Sequence, residues 1–247
     1  ARQGRAPGLQ GQLVRRDLLR ETLRLFAAHL HLFTLIALTV WLPGHVVINY
    51  LDFFAGGPPG SAEAAARGIR VFLVVEAVFG PLVVAATLAV LVRIKRGEPA
   101  TYGQALLDGL AAWPRIFIAR LVQGAIVLVG LVALVVPGLI LLVRVSFVDA
   151  LVVLDGAPLG PALRGSNALT AGRRAPIFWT GGALFVGVFS VATIFSVLAG
   201  AAGHFVAQVL ADCAIAVTQT VFTIALFLFY WEARHAAAPE APARPAG

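Results

Sequence analysis

The sequence predicts an all-α fold, a polytopic membrane bundle of six transmembrane helices. Three observations carry that expectation. The 247 residues are 60% hydrophobic and 13% charged, with a mean hydropathy of +0.90, whereas soluble domains average about 25% charged residues. Apolar runs of roughly 20 residues, the length a bilayer demands of a helix, recur from residue 26 to 231. The basic residues collect at the ends of those runs.

The elements follow in chain order. Residues 1–25 read as an amphipathic helical segment: in "LVRRDLLRETLRLF", Arg16, Arg20 and Arg24 recur every four residues while Val14, Leu18 and Leu25 take another side. With six arginines, polar breaks and two acids, this stretch does not read as a secretory signal. Spans are expected over 26–51, 69–93, 117–136, 138–154, 177–199 and 205–231, as one membrane domain, 26–231. "FFAGGPPGSAEAAARG" reads as an external connection, with room for a short helix. "VVPGL" reads as a tight turn between spans three and four, because proline lacks an amide donor and glycine tolerates the bend; the alternative is one long kinked helix. Residues 232–247, alanine- and proline-rich and without apolar periodicity, are expected to be a disordered tail.

Two further segments, "TYGQALLDGLAAWPRIF" and "PLGPALRGSNALTAGRRAPIFW", also read as short amphipathic helices preceding odd-numbered spans. They predict a threefold repeat of an interfacial helix plus a two-span hairpin. With the N-terminus inside, the nineteen basic residues divide as sixteen on the cytoplasmic side, Arg67 and Arg70 outside, and Arg144 within a span. The positive-inside rule therefore favours two cytoplasmic termini. A nucleic-acid binder would gather its basic residues on one face, so the net charge of +7 does not argue for one.

Charges inside spans are the candidate site. A charge at the membrane centre costs about 2.5–3.5 kcal/mol and calls for a partner or a cavity. At about 1.5 Å per residue, Glu76, Arg144 and Asp212 all lie roughly 9–11 Å below the outer boundary. Arg144 is therefore expected to bridge the two carboxylates in an intramembrane cluster. Asp149 lies in the inner half, within snorkelling reach of Arg120 or Arg93. Gln208, Asp212, Gln219 and Thr223 form a polar stripe along span six that must face protein or water. Thr180, Ala183, Gly187 and Ser190 form a small-residue stripe read as a helix-packing face. Trp41, Trp113, Trp179, Tyr230 and Trp231 are placed near span ends, as an aromatic belt.

No motif announces catalysis. The histidines, His29, His31, His45, His204 and His235, lack helical metal-site spacing, although His29 or His31 alone would suffice as a haem or pigment ligand. Nucleophile elbow, phosphate loop and zinc-protease pair are missing from the sequence. No enzyme, metal or cofactor is therefore expected. The lone Cys213 leaves the compartment open.

Through Pro137, Gly138, Arg144, Ser146, Asp155, Gly156, Ala162, Ser166, Leu169, Thr170, Gly172 and Arg174, the central segment resembles bacterial six-span membrane proteins of unknown function. That family includes the membrane domain attached to some glycerophosphoryl diester phosphodiesterases. "LFYWEAR", through Tyr230, Glu232 and Arg234, is similar to the family's closing stretch, whereas Asp155 stands where members often have Glu. The resemblance implies six spans with amphipathic connectors and no catalysis, the phosphodiesterase domain being missing from this sequence. The expectation that follows is a bacterial inner-membrane accessory or scaffolding protein, packed against lipids, other membrane proteins or a larger complex. The alternative is a small transporter or channel using the span-six stripe and the Glu76–Arg144–Asp212 cluster; a lipid-handling enzyme is a third reading.

Overall fold

The structure, a computed structural model, describes residues 7–54 and 62–237, with side chains over 17–51, 53–54 and 66–236. Helices α1 (Pro7–Ala28), α2 (Leu30–Phe54), α3 (Ala62–Lys95), α4 (Tyr102–Ala133) and α5 (Val135–Val145) are followed by α6 (Val148–Leu154), α7 (Leu159–Thr170), α8 (Arg174–Ala202) and α9 (Phe205–Ala237). Six stretches are long and apolar enough to cross a membrane: Leu30–Leu51, Ala66–Lys95, Tyr102–Ala133, Val135–Leu154, Arg174–Ala202 and Phe205–Ala236. This is a multi-pass, all-helical bundle, as the sequence predicts. Its two ends are the terminal end, where α2 begins and α9 finishes, and the opposite hairpin end, where α8 turns into α9. Residues 1–6, 55–61 and 238–247 lie outside the described residues, so the connection after Phe54 and most of the expected tail are not addressed. Residues 232–237, expected to belong to the tail, are helical, because α9 runs on to Ala237.

Large side chains such as Phe33, Phe147, Phe227 and Ile116 fill the core, while small residues set the closest approaches between spans, where close contact favours association in lipid. An added Cβ at Gly109 of α4 would sit 3.0 Å from both Cβ and N of Ala86 in α3. At the α4–α5 turn the approach is closer still: a Cβ on Gly138 would lie 2.7 Å from the Leu131 backbone nitrogen. The turn itself is the single extended residue Leu134 (φ −166°, ψ 145°). Pro137 therefore falls in the first turn of α5, where an amide donor has no helical acceptor. The hairpin forms as predicted, but the turn precedes the proline instead of containing it.

The fourth span is broken. α5 stops at Val145 and α6 starts at Val148, with no proline or glycine at the interruption. Backbone groups exposed by a break inside a membrane need partners, and α7 supplies one. Ser166 Oγ accepts from Phe147 N (3.1 Å) and donates to the Arg144 carbonyl (2.7 Å). Ala162, Ser166 and Thr170 form the buried face of α7, so this connector is docked against the break as well as amphipathic. Two of the three expected connectors, α1 and α7, are separate helices. The second connector is not separate: "TYGQALLDGLAAWPRIF" runs straight into α4 despite Pro114.

Candidate functional site

A polar track runs through the interior between α2, α3, α4, α6 and α9. Heights are counted from the hairpin end at about 1.5 Å per residue. His45 and Asp212 then lie about 10 Å in, Glu76 about 15 Å, and Arg120, Asp149 and Gln219 about 20 Å. The track descends past the middle of the bundle.

Its upper station is built on Asp212. Asn49 Nδ2 donates to Oδ2 (2.8 Å), Gln208 Nε2 donates to Oδ1 (3.1 Å), and His45 Nδ1 lies 4.0 Å from Oδ2. His45 and Asn49 are one helical turn apart on α2, and Asn49 Nδ2 also donates to the His45 carbonyl (2.9 Å). The lower station is built on Asp149. Arg120 Nε donates to Oδ2 (3.0 Å) and Gln123 Nε2 to Oδ1 (2.7 Å). Both carboxylates thus have charge-assisted or amide donors, which is what lets an acid persist at membrane depth.

Glu76 lies between these stations. Its one ion pair is a long contact from Arg120 Nη1, 3.8 Å from Oε1, and it makes no hydrogen bond among the described residues. The carboxylate folds back over Gly80, where an added Cβ would be 2.7 Å from Oε1. The helix is weakened nearby, because Pro81 removes the donor to the Ala77 carbonyl, and Trp113 Nε1 donates to the Val78 carbonyl (2.7 Å).

These geometries correct the expected cluster. Arg144 makes no ion pair with Glu76 or Asp212; Arg120 takes its place at Glu76, and Asn49 with Gln208 at Asp212. The Arg144 Nε is buried without a hydrogen-bond partner. Equal height does not mean adjacency: α5 packs on α4 and α7, away from α9. The inner-half pair, Asp149 with Arg120, is brought together, with Arg120 and not Arg93 as the cation; Arg93 pairs with Asp108 at 2.9 Å.

The span-six stripe borders cavities, with Gln208, Asp212 and Thr223 half-buried and Gln219 exposed. Gln219 and Thr223 line a cavity of about 310 Å³ with Glu76 and Arg120, and Asp212 and Gln219 line an adjoining one of about 270 Å³. A third, of about 90 Å³, is lined by Arg120, Asp149, Ser146 and Thr223. The three adjoin one another as a cleft, the first and second sharing Trp41, Glu76 and Gln219 as lining and the first and third sharing Arg120 and Thr223. The small-residue stripe does not pack within the chain. Thr180 is buried, but Ala183, Gly187 and Ser190 are exposed, and a Cβ on Gly187 would meet nothing within 4 Å. The stripe faces outward because α8 leans on α9 with a different side, through Ile177, Leu184 and Ala199. Trp41 is likewise not part of a belt; it is 6% exposed, borders both larger cavities and packs its ring on His45 at 5.6 Å.

His45, Asn49, Gln123 and Gly80 are site residues that the sequence reading passes over. Two carried a usable signal: Asn49 follows His45, and Gln123 follows Arg120, at one-turn spacing on apolar helices. Comparison of the chain with protein families, curated proteins and solved structures finds no match.

Proposed function

We propose that this multi-pass protein binds a small polar or charged solute in its intramembrane cleft and passes it across a bacterial inner membrane, in the manner of a small transporter or channel. One observation carries the reading: Glu76, held by a single long ion pair, lines two adjoining cavities that are also lined by Asp212, Gln219 and Thr223 of span six. Polar groups cost free energy at membrane depth unless paired or wet, and a purely structural role would leave Glu76 as well bonded as Asp149 and Asp212. The cleft is acidic on balance, with Glu76, Asp149 and Asp212 against the one guanidinium of Arg120, which favours a cationic solute or the proton. Both termini are assigned to the cytoplasm by the positive-inside rule, and catalysis forms no part of this reading.

Proteoliposomes test it. Under an imposed diffusion potential, wild-type protein should pass protons, sodium or choline faster than empty liposomes, and Glu76→Gln should abolish the difference while Arg164→Gln leaves it intact. Flux equal to that of empty liposomes for every one of these cations rejects the proposal. The second reading, an accessory or scaffolding subunit packed against other membrane proteins, draws support from the wide apolar exposure of α8, including Phe185, Val186, Phe189 and Val197. It predicts co-purification with a larger assembly and no flux.

A further inference from the structure

The cleft is open sideways, and that opening says more about the ligand than its charge does. α8 packs on α9, with lesser contacts to α1 and α5, and has no substantial packing against α3 or α4. Yet Phe185 and Phe189 of α8 line the same cavity as Glu76 of α3 and Arg120 of α4. A gap bounded by α8 on one side and α3 with α4 on the other therefore leads from the charged interior to the apolar flank of the bundle. Glu76, with a half-exposed side chain and one long ion pair, lines this gap together with Trp41. The outer wall of the gap is aromatic. A carboxylate next to aromatic faces is the chemistry that receives an ammonium group, by charge and by attraction to the ring quadrupole. An anionic head is disfavoured, because Arg120 is already engaged through Nε by Asp149 at 3.0 Å and Glu76 would repel it.

We infer that the ligand of the cleft is a lipophilic cation, an amine or quaternary ammonium head seated at Glu76 with an apolar chain leaving between α8 and the α3–α4 pair. The inference rests on the solute-binding reading above and narrows its substrate class. The head replaces Arg120 as the partner of Glu76, and the chain lies on Phe185 and Phe189. Inorganic ions have no use for such a wall, and a solute entering only from water would not need the lateral gap.

The test is calorimetric titration of the purified full chain with hexyltrimethylammonium, tetramethylammonium, hexanol and hexyl sulfate. Hexyltrimethylammonium should bind saturably, with the other three at least about tenfold weaker, because each lacks the chain, the charge or its sign. Glu76→Gln should weaken that binding by about tenfold or more, as loss of a charged partner does, and Glu98→Gln should not change it. Ala192→Trp, which fills the cleft from α8, should block binding while leaving Glu76 in place, so the outcome does not depend on one variant folding. Equal affinity for tetramethylammonium overturns the amphiphile assignment but leaves the cation-passage reading standing. Equal or tighter binding of hexanol or hexyl sulfate overturns the cation assignment. Absence of saturable binding by hexyltrimethylammonium overturns the inference outright, and the flux measurement decides the broader reading separately.

Discussion

Replacing Arg120 by alanine should destabilise this protein far more than replacing Arg144, the reverse of what matching charges by depth alone suggests. Arg120 Nε supplies one of the two hydrogen bonds to Asp149, whose side chain is only 18% exposed, and Nη1 is the one counter-charge paired with Glu76 among the described residues. Losing a hydrogen bond to a charged group costs about 1.5–3 kcal/mol, and orphaning one member of a buried pair about 3–5 kcal/mol. Arg120 is itself 33% exposed, so solvent screening puts the expected loss at about 2–4 kcal/mol. For a chain of this size that is a fall in melting temperature of roughly 4–16 °C. Arg144 has no ion pair and an unsatisfied Nε, so Arg144→Ala should cost less than about 1 kcal/mol beyond its lost packing. The assay is thermal unfolding of detergent-purified variants, followed by tryptophan fluorescence. Equal losses for the two variants, or a larger one for Arg144→Ala, refute the assignment of Arg120 as the central cation.

Other substitutions probe the supporting structure. Ser166→Ala removes both partners of the broken fourth span and should cost about 1–3 kcal/mol, read as lower thermal stability; Ser146→Ala, which loses only a local bond to the Val143 carbonyl, should cost clearly less. Gly138→Ala pushes a methyl against the backbone of Leu131 and should destabilise the α4–α5 hairpin by about 1–3 kcal/mol. Gly187→Ala, with open space around it, should be neutral within about 0.5 kcal/mol in the monomer; a comparable loss there would restore the small-residue stripe as a packing face.

Span number was legible because a bilayer imposes length and apolarity on each crossing, and those are properties of composition along a line. The polar, cavity-bordering face of α9 was legible for a related reason: Gln208, Asp212, Gln219 and Thr223 share one side of one helix, so no knowledge of neighbours is required. The partner of Arg144 was not legible. Position along a helix fixes height, but which helices adjoin and how each is rotated depends on packing among all of them, and α5 turned out to be remote from α9. The break at Ser146 escaped for another reason: neither residue there breaks helices, and the device that stabilises it, Ser166, lies twenty residues onward. The segment before the third span misled in the opposite direction: it reads as a separate short helix, whereas α4 continues unbroken from Tyr102 to Ala133.

The account rests on the interior cleft being wet, and thiol accessibility measures that directly. In a Cys213→Ala background, a cysteine in place of Gln219 should react in intact membranes with a water-soluble, positively charged methanethiosulfonate. A cysteine replacing Ile224, fully buried on the same helix, should stay unmodified on that timescale. If Gln219→Cys proves as inert as Ile224→Cys, the track through Asp212, Glu76 and Asp149 is dry packing and no solute uses it.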